Sequence, residues 1–273
     1  MEICMKSDCG GVFPNIHIDG TVDKLILNFE RMLPVEGATD CVCSDKRADL
    51  LTNSLLSNLD HLSWGEINRI GILGKARETF ALGATKHDKM KNGFVAVWQI
   101  IGFNHDDLAD GSGKAPISWD LVTVYKERWE MNDENTNKGG WEACKMNRRL
   151  NSEFFDLCSD ELQAIIKPVI KLTSAGGCSK EIIKSVCKLW LKSEKELYGR
   201  CFYSVPGEGH WYEYYRQEDV PYYKEDADGE RVWQALRSAN YNNTGNFCHV
   251  NTDGSAASNY AGNSLALAPG FSC

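Results

Sequence analysis

Trp233-Gln-Ala-Leu-Arg-Ser238 opens the stretch that decides the fold; Phe247, Val250 and Asp253-Gly254 punctuate it, and Ala268-Pro-Gly-Phe271 brings the chain almost to its end. Between these points lie Asn240, Asn242, Asn243, Asn246, Asn251, Asn259 and Asn263, with Tyr241, Thr244, His249, Tyr260 and several serines filling in. After Arg237 the only charged side chain is Asp253. A run so rich in Asn, Ser and Gly has the composition of a disordered tail. The apolar residues argue the other way, because a segment with nothing to bury seldom closes on Pro-Gly-Phe. The stretch is therefore expected to fold, with Trp233, Leu236, Phe247, Val250, Pro269 and Phe271 as buried anchors and the polar side chains between them facing solvent. Gly245, Gly254 and Gly262 mark turns or bulges within it.

The rest of the chain sets bounds on what this surface serves. At 273 residues it can bury a substantial core, as one large domain or as one domain with an N-terminal extension. With 42% hydrophobic and 25% charged residues it reads as a globular chain. A net charge of −8 argues against duplex nucleic acid as a partner, since affinity there comes from cationic contacts to phosphate. No apolar run approaches the roughly 20 residues that cross a bilayer. Met1-Glu-Ile-Cys-Met-Lys6 lacks the basic-then-apolar layout of a secretion signal, so synthesis in the cytoplasm is expected. The 11 cysteines then read as mostly reduced thiols, and an odd count cannot pair completely within one chain.

Residues 1–62 read as an accessory segment. Leu25, Ile26, Phe29, Met32 and Leu33 predict a helix over Asp23–Leu33, and Leu50, Leu51, Leu55, Leu56 and Leu59 predict another over Asp45–Leu59. Two such elements would pack onto the main domain or onto another subunit, which leaves a homo-oligomer open. Cys4, Cys9, Cys41 and Cys43 do not have the spacing of a zinc knuckle, and no metal or cofactor is expected.

From Ser63 the reading is of a folded domain over 63–273. Ser63-Trp-Gly-Glu66 is a capping box that starts a helix running through Ile67, Ile70 and Ala76 towards Phe80. Gly93–Phe103 predicts a strand buried on both faces. The loop His105–Lys114 ends in Gly-Ser-Gly-Lys, but Leu108 and Ala115 break the phosphate-loop spacing, and its aspartates lack the glutamate that closes a calcium loop. Ser159–Thr173 predicts a capped helix that Pro168 kinks or splits, and Ser179–Cys187 a second short amphipathic stretch. Lys188–Leu191 predicts a strand, followed by a second capping box at Ser193 and Glu196. The aromatic-dense segment from Tyr203 to Tyr223 is expected to wall the core for the most part, with one or two rings left as rim contacts. Six scattered histidines offer no His-Glu-x-x-His spacing and there is no Gly-x-Ser-x-Gly motif, so an enzyme is not expected.

The pattern Trp233-x-x-Leu-Arg-Ser, Phe247-x-x-Val-x-x-x-Gly254 and Ala268-Pro-Gly-Phe271 resembles the C-terminal region of the variable proteins of diversity-generating retroelements. The Ser118-Trp-Asp120 segment and the Gly139-Gly-Trp141 to Leu150-Asn151 segment resemble blocks of the same group, in the same order. Asn147 stands where those relatives often carry an arginine. The resemblance implies an α+β, loop-rich C-type-lectin-like fold related to formylglycine-generating enzymes, here with an N-terminal helical extension. It also implies a variable region at about 238–267, in which adenine-directed mutagenesis supplies residues such as Asn, Tyr, Ser and His. That mechanism does not readily give Lys, Glu, Gln, Met or Trp, and none of these occurs from Asn240 to Leu267. The enzymes of this fold use cysteines near the C-terminus, but Cys248 reads more simply as a small strand residue, and Ser272-Cys273 departs from their ending. The expected function is target recognition, with a protein or glycan ligand on a target surface as partner and with this chain itself carried on a virion or a cell surface. The expected ligand-binding residues are Asn240, Tyr241, Asn242, Asn243, Asn246, His249, Asn251, Ser255, Ser258, Asn259, Tyr260 and Asn263. The competing reading is a structural subunit of a phage tail or surface assembly with a fixed surface. Tyr, Asn, Ser and Gly form the palette of antibody loops, where rigid aromatics anchor and small polar groups adapt.

Overall fold

The computed structural model describes residues 57–273 and, nearer the N-terminus, the antiparallel pair β1 (Glu2–Ile3) and β2 (Ile16–His17). The chain divides into two compact units, Met1–Leu50 and Leu51–Cys273. The helix expected over Asp23–Leu33, most of the one over Asp45–Leu59, and Cys4, Cys9, Cys41 and Cys43 lie outside the described residues. The second unit begins ahead of the expected boundary at 62/63. Leu59 and Leu62 are buried, the Leu59 amide donates to the Thr85 carbonyl (2.8 Å), and Lys86 Nζ donates to the Leu62 carbonyl (2.6 Å).

That unit is α+β, with short helices around three antiparallel or mixed sheets and one small hairpin. The first sheet joins β3 (Thr85–Lys89), β4 (Val95–Phe103), β6 (Ile117–Leu121), β10 (Leu189–Trp190) and β17 (Gly270–Ser272) in the order β10-β17-β6-β4-β3. The last strand of the chain therefore lies inside the sheet, with Phe271 opposite Trp119 on one side and Leu189 on the other. This is why a polar tail ends on Pro-Gly-Phe. Phe271 packs against Trp98 (ring centroids 4.9 Å apart), Trp64 (5.7 Å) and Trp119 (5.9 Å), all fully covered. Gly270 is obligatory for this packing: a Cβ there would lie 2.4 Å from the Trp190 ring and 2.6 Å from the Trp119 carbonyl oxygen.

A second sheet, in the order β5-β8-β9, comprises β5 (Asp107–Leu108), β8 (Val169–Ser174) and β9 (Ile182–Cys187). It corrects one expectation and specifies another. The helix that starts at Ser159 covers only Asp160–Ile165; Pro168 lacks the amide to continue it, and the β-branched Val169, Ile170 and Thr173 then run as a strand. The amphipathic stretch Ser179–Cys187 holds Ile182, Ile183 and Val186, and its residues Ile182–Cys187 form a strand that pairs along β8. Likewise the helix opened by the Ser63–Glu66 capping box runs Trp64–Ile72 and stops before Gly74, whose φ of +72° favours glycine; a separate turn, Ala76–Thr79, follows. Only the second half of β4 is buried on both faces, while its first half alternates.

The third sheet carries the C-terminal stretch. It contains β7 (Arg128–Glu130), β13 (Gln234–Ala239), β14 (Asn246–Val250), β15 (Ala256–Tyr260) and β16 (Ser264–Ala266), ordered β15-β14-β13-β16-β7. Its one parallel pairing is β13 with β16. β11 (Lys224–Glu225) and β12 (Arg231–Val232) form a hairpin just ahead of it. No helix among the described residues is long and apolar enough to cross a membrane.

Candidate functional site: the C-terminal strands and the groove beside them

The asparagines of the tail first build its turns. Asn240 Oδ1 accepts the Asn242 amide (2.8 Å) and Asn243 Oδ1 accepts the Gly245 amide (2.8 Å), while Asp253 Oδ1 accepts both the amide and the hydroxyl of Ser255. Short side chains that mimic a backbone turn are what these residues supply best. The β13–β14 turn is held from outside by Asn137, which is fully buried. Its Nδ2 donates to the carbonyls of Asn240 (3.0 Å), Asn243 (2.9 Å) and Asn246 (2.8 Å), and its Oδ1 accepts from the Gly177 amide (2.8 Å). Sequence reading missed Asn137; the only signal was its place just ahead of Gly139-Gly-Trp141.

The expected site residues separate by strand face. Asn242, Asn243, Ser255, Tyr260 and Asn263 are exposed, and Tyr241, Asn246, Asn251, Ser258 and Asn259 are half-buried. Asn240 and His249 were expected to face solvent and do not: they are 5% and 3% exposed. Asn240 and Asn246 both donate to Ser258 Oγ, at 2.8 and 3.2 Å, so these three form a cross-strand cluster. His249 points to the opposite face, where its Nε2 lies 3.0 Å from Asn251 Oδ1 and burial pushes its pKa down. Against its ring, at 5.2 Å, lies Trp233, which is 48% exposed rather than a buried anchor. Trp233 lies just ahead of β13, where nothing among the described residues covers its outer side. The other anchors, Leu236, Phe247, Val250, Pro269 and Phe271, are buried.

Beside the tail lies a groove of about 490 Å³, lined by Tyr198, Arg200, Phe202, Tyr203, Tyr222 and Gly254–Ala256. Its wall starts from the second capping box: Ser193 caps the helix Glu194–Tyr198, and Gly199 closes it at φ +71°. Glu194 is fully buried and one oxygen, Oε2, collects the amides of Phe202 (3.0 Å), Tyr203 (3.0 Å) and Ser204 (2.8 Å) and the Ser204 hydroxyl (2.7 Å). One carboxylate thus fixes the loop that carries the aromatics. Phe202, 46% exposed, meets the edge of Tyr198 at 5.4 Å, and Tyr222 meets Tyr198 at 4.8 Å. The wall is tied to the tail at two points, where Tyr198 Oη donates to the Gly254 carbonyl (3.0 Å) and the Tyr241 amide to the Tyr203 carbonyl (2.8 Å). Glu194, Tyr198, Arg200 and Phe202 escaped the sequence reading, although the capping box pointed at their helix.

Under this surface lies a buried charge network that holds it in place. Arg237, on β13, forms a forked pair with Glu196 and donates to the carbonyls of Leu191 (2.9 Å) and Leu172 (3.0 Å). Lys171 bridges Asp106 and Glu196, both at 2.8 Å, and Tyr212 Oη joins Asp106 at 3.0 Å. Asp120 pairs with Lys192 and with Lys224 (2.9 Å), and accepts from Tyr215 Oη (2.6 Å). Burial alone would raise Asp106, Asp120 and Glu196; their cationic partners outweigh it and hold all three below the ordinary carboxylate range. Lys192 is brought down to about 8, mainly by desolvation. Glu208 goes the other way, pushed up by burial despite Arg237 and the Ser238 hydroxyl. Asp106 sits in the loop read from sequence as a failed calcium loop.

These side chains are enclosed by protein and paired with one another, which is the arrangement of a structural network. The buried thiols of Cys248 and Cys273 are held protonated: burial pushes Cys273 up to about 12, and Cys248 well above its usual value. Among the described residues no group of three or more His, Cys, Asp or Glu is placed to hold a metal ion.

No curated protein and no solved structure matches the chain. Residues 112–272 match a domain of unknown function, DUF6273, which begins in the loop before β6 and runs through β17. The match spans all of the third sheet and both walls of the groove but leaves out β3 and β4. Since it covers more than half of the sequence, the chain belongs to the DUF6273 family.

Proposed function

We propose that this chain is a target-recognition module, in which the turns around β15 and the adjoining groove form a binding surface whose side chains change without disturbing the fold. The supporting observation is the division within the third sheet: β13 is buried throughout, whereas every residue of β15 retains solvent exposure beside an aromatic-walled groove. Residues on such a surface can be exchanged at small cost, usually within about 0.5 kcal/mol each. This is the division that a variable protein of a diversity-generating retroelement on a C-type-lectin-like scaffold would need, and we extend the proposal to that kinship. The exposed tail residues Asn242, Asn243, Ser255, Tyr260 and Asn263, with the half-buried Asn259, then set specificity, while Asn240 and His249 belong to the scaffold.

The test requires no knowledge of the natural target. A displayed library randomised at those six positions is selected against hen lysozyme as an arbitrary folded protein. Folded, lysozyme-binding clones with melting temperatures near that of the starting chain are expected. A library that mostly fails to fold, or that folds and yields no binder, overturns the reading. Kinship to retroelement variable proteins has its own check in the gene's surroundings: a near-copy of the 3′ end differing at adenines, beside a reverse transcriptase, is expected.

A further inference from the structure

We infer that the free edge of β15, with the groove at its end, docks an extended peptide segment bearing an acidic side chain, which adds to the sheet as a further strand. The inference rests on the reading of this surface as a recognition site and names the class of its partner.

β15 is the last strand of its sheet. On its inner side the Asn251 amide donates to the Ser255 carbonyl (2.8 Å) and the Ala261 amide to the Gly245 carbonyl (2.8 Å). Antiparallel pairing alternates, so Ala257 and Asn259 turn their main chains towards β14, and Ala256 and Ser258 turn theirs outward. Among the described residues nothing bonds to the outward amides and carbonyls of Ala256 and Ser258. At Tyr260 the edge is closed: its amide donates to Asn259 Oδ1 (2.8 Å) and its carbonyl accepts from Asn263 (3.0 Å). At the other end Ala256 opens directly into the groove.

Edge strands are usually guarded by lysine, proline or a bulge. β9, the edge of the second sheet, carries Lys184 and is flanked by Lys180 and Lys188. β15 reads Ala-Ala-Ser-Asn-Tyr, with no charge, no proline and an unbroken register. Its outward groups recur every second residue, about 6.7 Å apart, which is the repeat of another strand. An added strand would send alternate side chains into the groove, the usual division between main-chain affinity and side-chain specificity. Arg200 is the only charged residue lining that groove; it stacks on Phe202 at 4.6 Å and forms no ion pair among the described residues. A carboxylate on the incoming strand is its complement.

The test selects linear 12-residue peptides from a display library on the full chain and measures synthetic versions by fluorescence anisotropy. Enriched sequences are expected to alternate apolar and polar residues and to share an Asp or Glu. Ala256→Pro removes an outward amide while leaving the pairing to β14, and is expected to weaken these peptides at least tenfold. Added salt is expected to weaken the wild-type complex, and Arg200→Glu is expected to weaken binding as much as Ala256→Pro and to reverse the sign of that salt dependence. If Ala256→Pro does not fold, hydrogen exchange on the wild-type chain decides: the Ala256 and Ser258 amides should become protected when peptide is added. Failure to enrich any peptide, unchanged binding to Ala256→Pro, or no new protection overturns the inference. So does a wild-type dimer that Ala256→Pro turns into a monomer, since a second copy then holds the edge. Success of the lysozyme selection with failure here would sink strand addition alone.

Discussion

β13 and β15 lie two strands apart in one sheet and come from a single run of sequence, yet they occupy opposite environments. β13, Gln-Ala-Leu-Arg-Ser-Ala, is buried at every position, arginine included. β15 contains no charged residue and is buried at none. Polarity does not separate the two; the supply of partners does. Arg237 enters the core because Glu196 and the carbonyls of Leu172 and Leu191 are waiting there. Ser258 stays half-exposed because, among the described residues, only the side chains of Asn240 and Asn246 donate to its hydroxyl. A stretch that reads as one polar tail is therefore half core and half surface.

Breaking the buried half should have the largest effect. Arg237→Ala leaves Glu196 short of its forked partner and uncovers main-chain carbonyls, and removing one member of a buried pair costs roughly 3–5 kcal/mol. Denaturant unfolding should show a loss of that size or no folded protein at all. A change below about 1 kcal/mol would mean that the network is not what holds β13. Phe271→Ala, which empties the space between Trp64, Trp98 and Trp119, should cost about 3–5 kcal/mol by the same measurement.

These two residues also show what could be read from sequence. Phe271 announces itself: an apolar residue at the end of a polar run has to be buried, and both capping boxes, Ser63 to Glu66 and Ser193 to Glu196, stand where the spacing put them. Arg237 does not announce itself, because its partners lie on other elements: Glu196 on the capped helix, Leu172 on β8 and Leu191 just after β10. The same holds for Asn240 and His249, whose burial depends on Ser258, Asn137 and Trp233 rather than on their own residue type. Strand is read as helix over Val169–Thr173, and Ser179–Cys187 only as a short amphipathic stretch, because short apolar runs fit either period and the pairing that decides between them is long-range. The groove was half legible, since its tyrosines were counted but the carboxylate that shapes its loop was not.

A smaller effect is expected where the two halves meet. Glu194→Gln keeps the shape of the side chain but removes the charge that four donors share; hydrogen bonds to charged groups contribute about 1.5–3 kcal/mol. Most of that loss should appear locally, as faster hydrogen exchange at Phe202, Tyr203 and Ser204. Uniformly faster exchange across β13 would instead make this carboxylate part of the core network.

The pH dependence separates the carboxylates by sign. Asp106, Asp120 and Glu196 are held below their ordinary values, so their contribution is complete above about pH 5 and is lost as pH falls through their folded values. The melting temperature should therefore drop between about pH 5 and pH 3. Glu208 is raised, so its ionised form costs stability above its folded pKa and the cost vanishes on acidification. Glu208→Gln should melt slightly higher than the wild type near pH 7, and the gap should close towards pH 4. A gap that widens on acidification would reverse the assignment.

The smallest effect should belong to the exposed half. Replacing Asn242, Asn243, Tyr260 and Asn263 together by serine removes no side-chain contact to Asn137, Ser258 or Arg237: Asn137 holds main-chain carbonyls, that of Asn243 included, and the side-chain contacts belong to Asn240, Asn246 and Glu196. Asn243 caps a turn through its side chain, to Gly245, where serine is a weaker version of the same acceptor, and Asn263 Nδ2 donates to Asn259 Oδ1 (2.9 Å) at the exposed end of β15. The combined loss should stay near 1 kcal/mol or below, a small part of what Arg237→Ala removes. Adding Asn240→Ser to the set is the sharper half of the experiment. Asn240 is buried, donates to Ser258 and accepts the Asn242 amide, so this one change should cost more than the other four combined. Equal costs for Asn240 and its exposed neighbours would dissolve the boundary between scaffold and surface at the turn where it is drawn most finely.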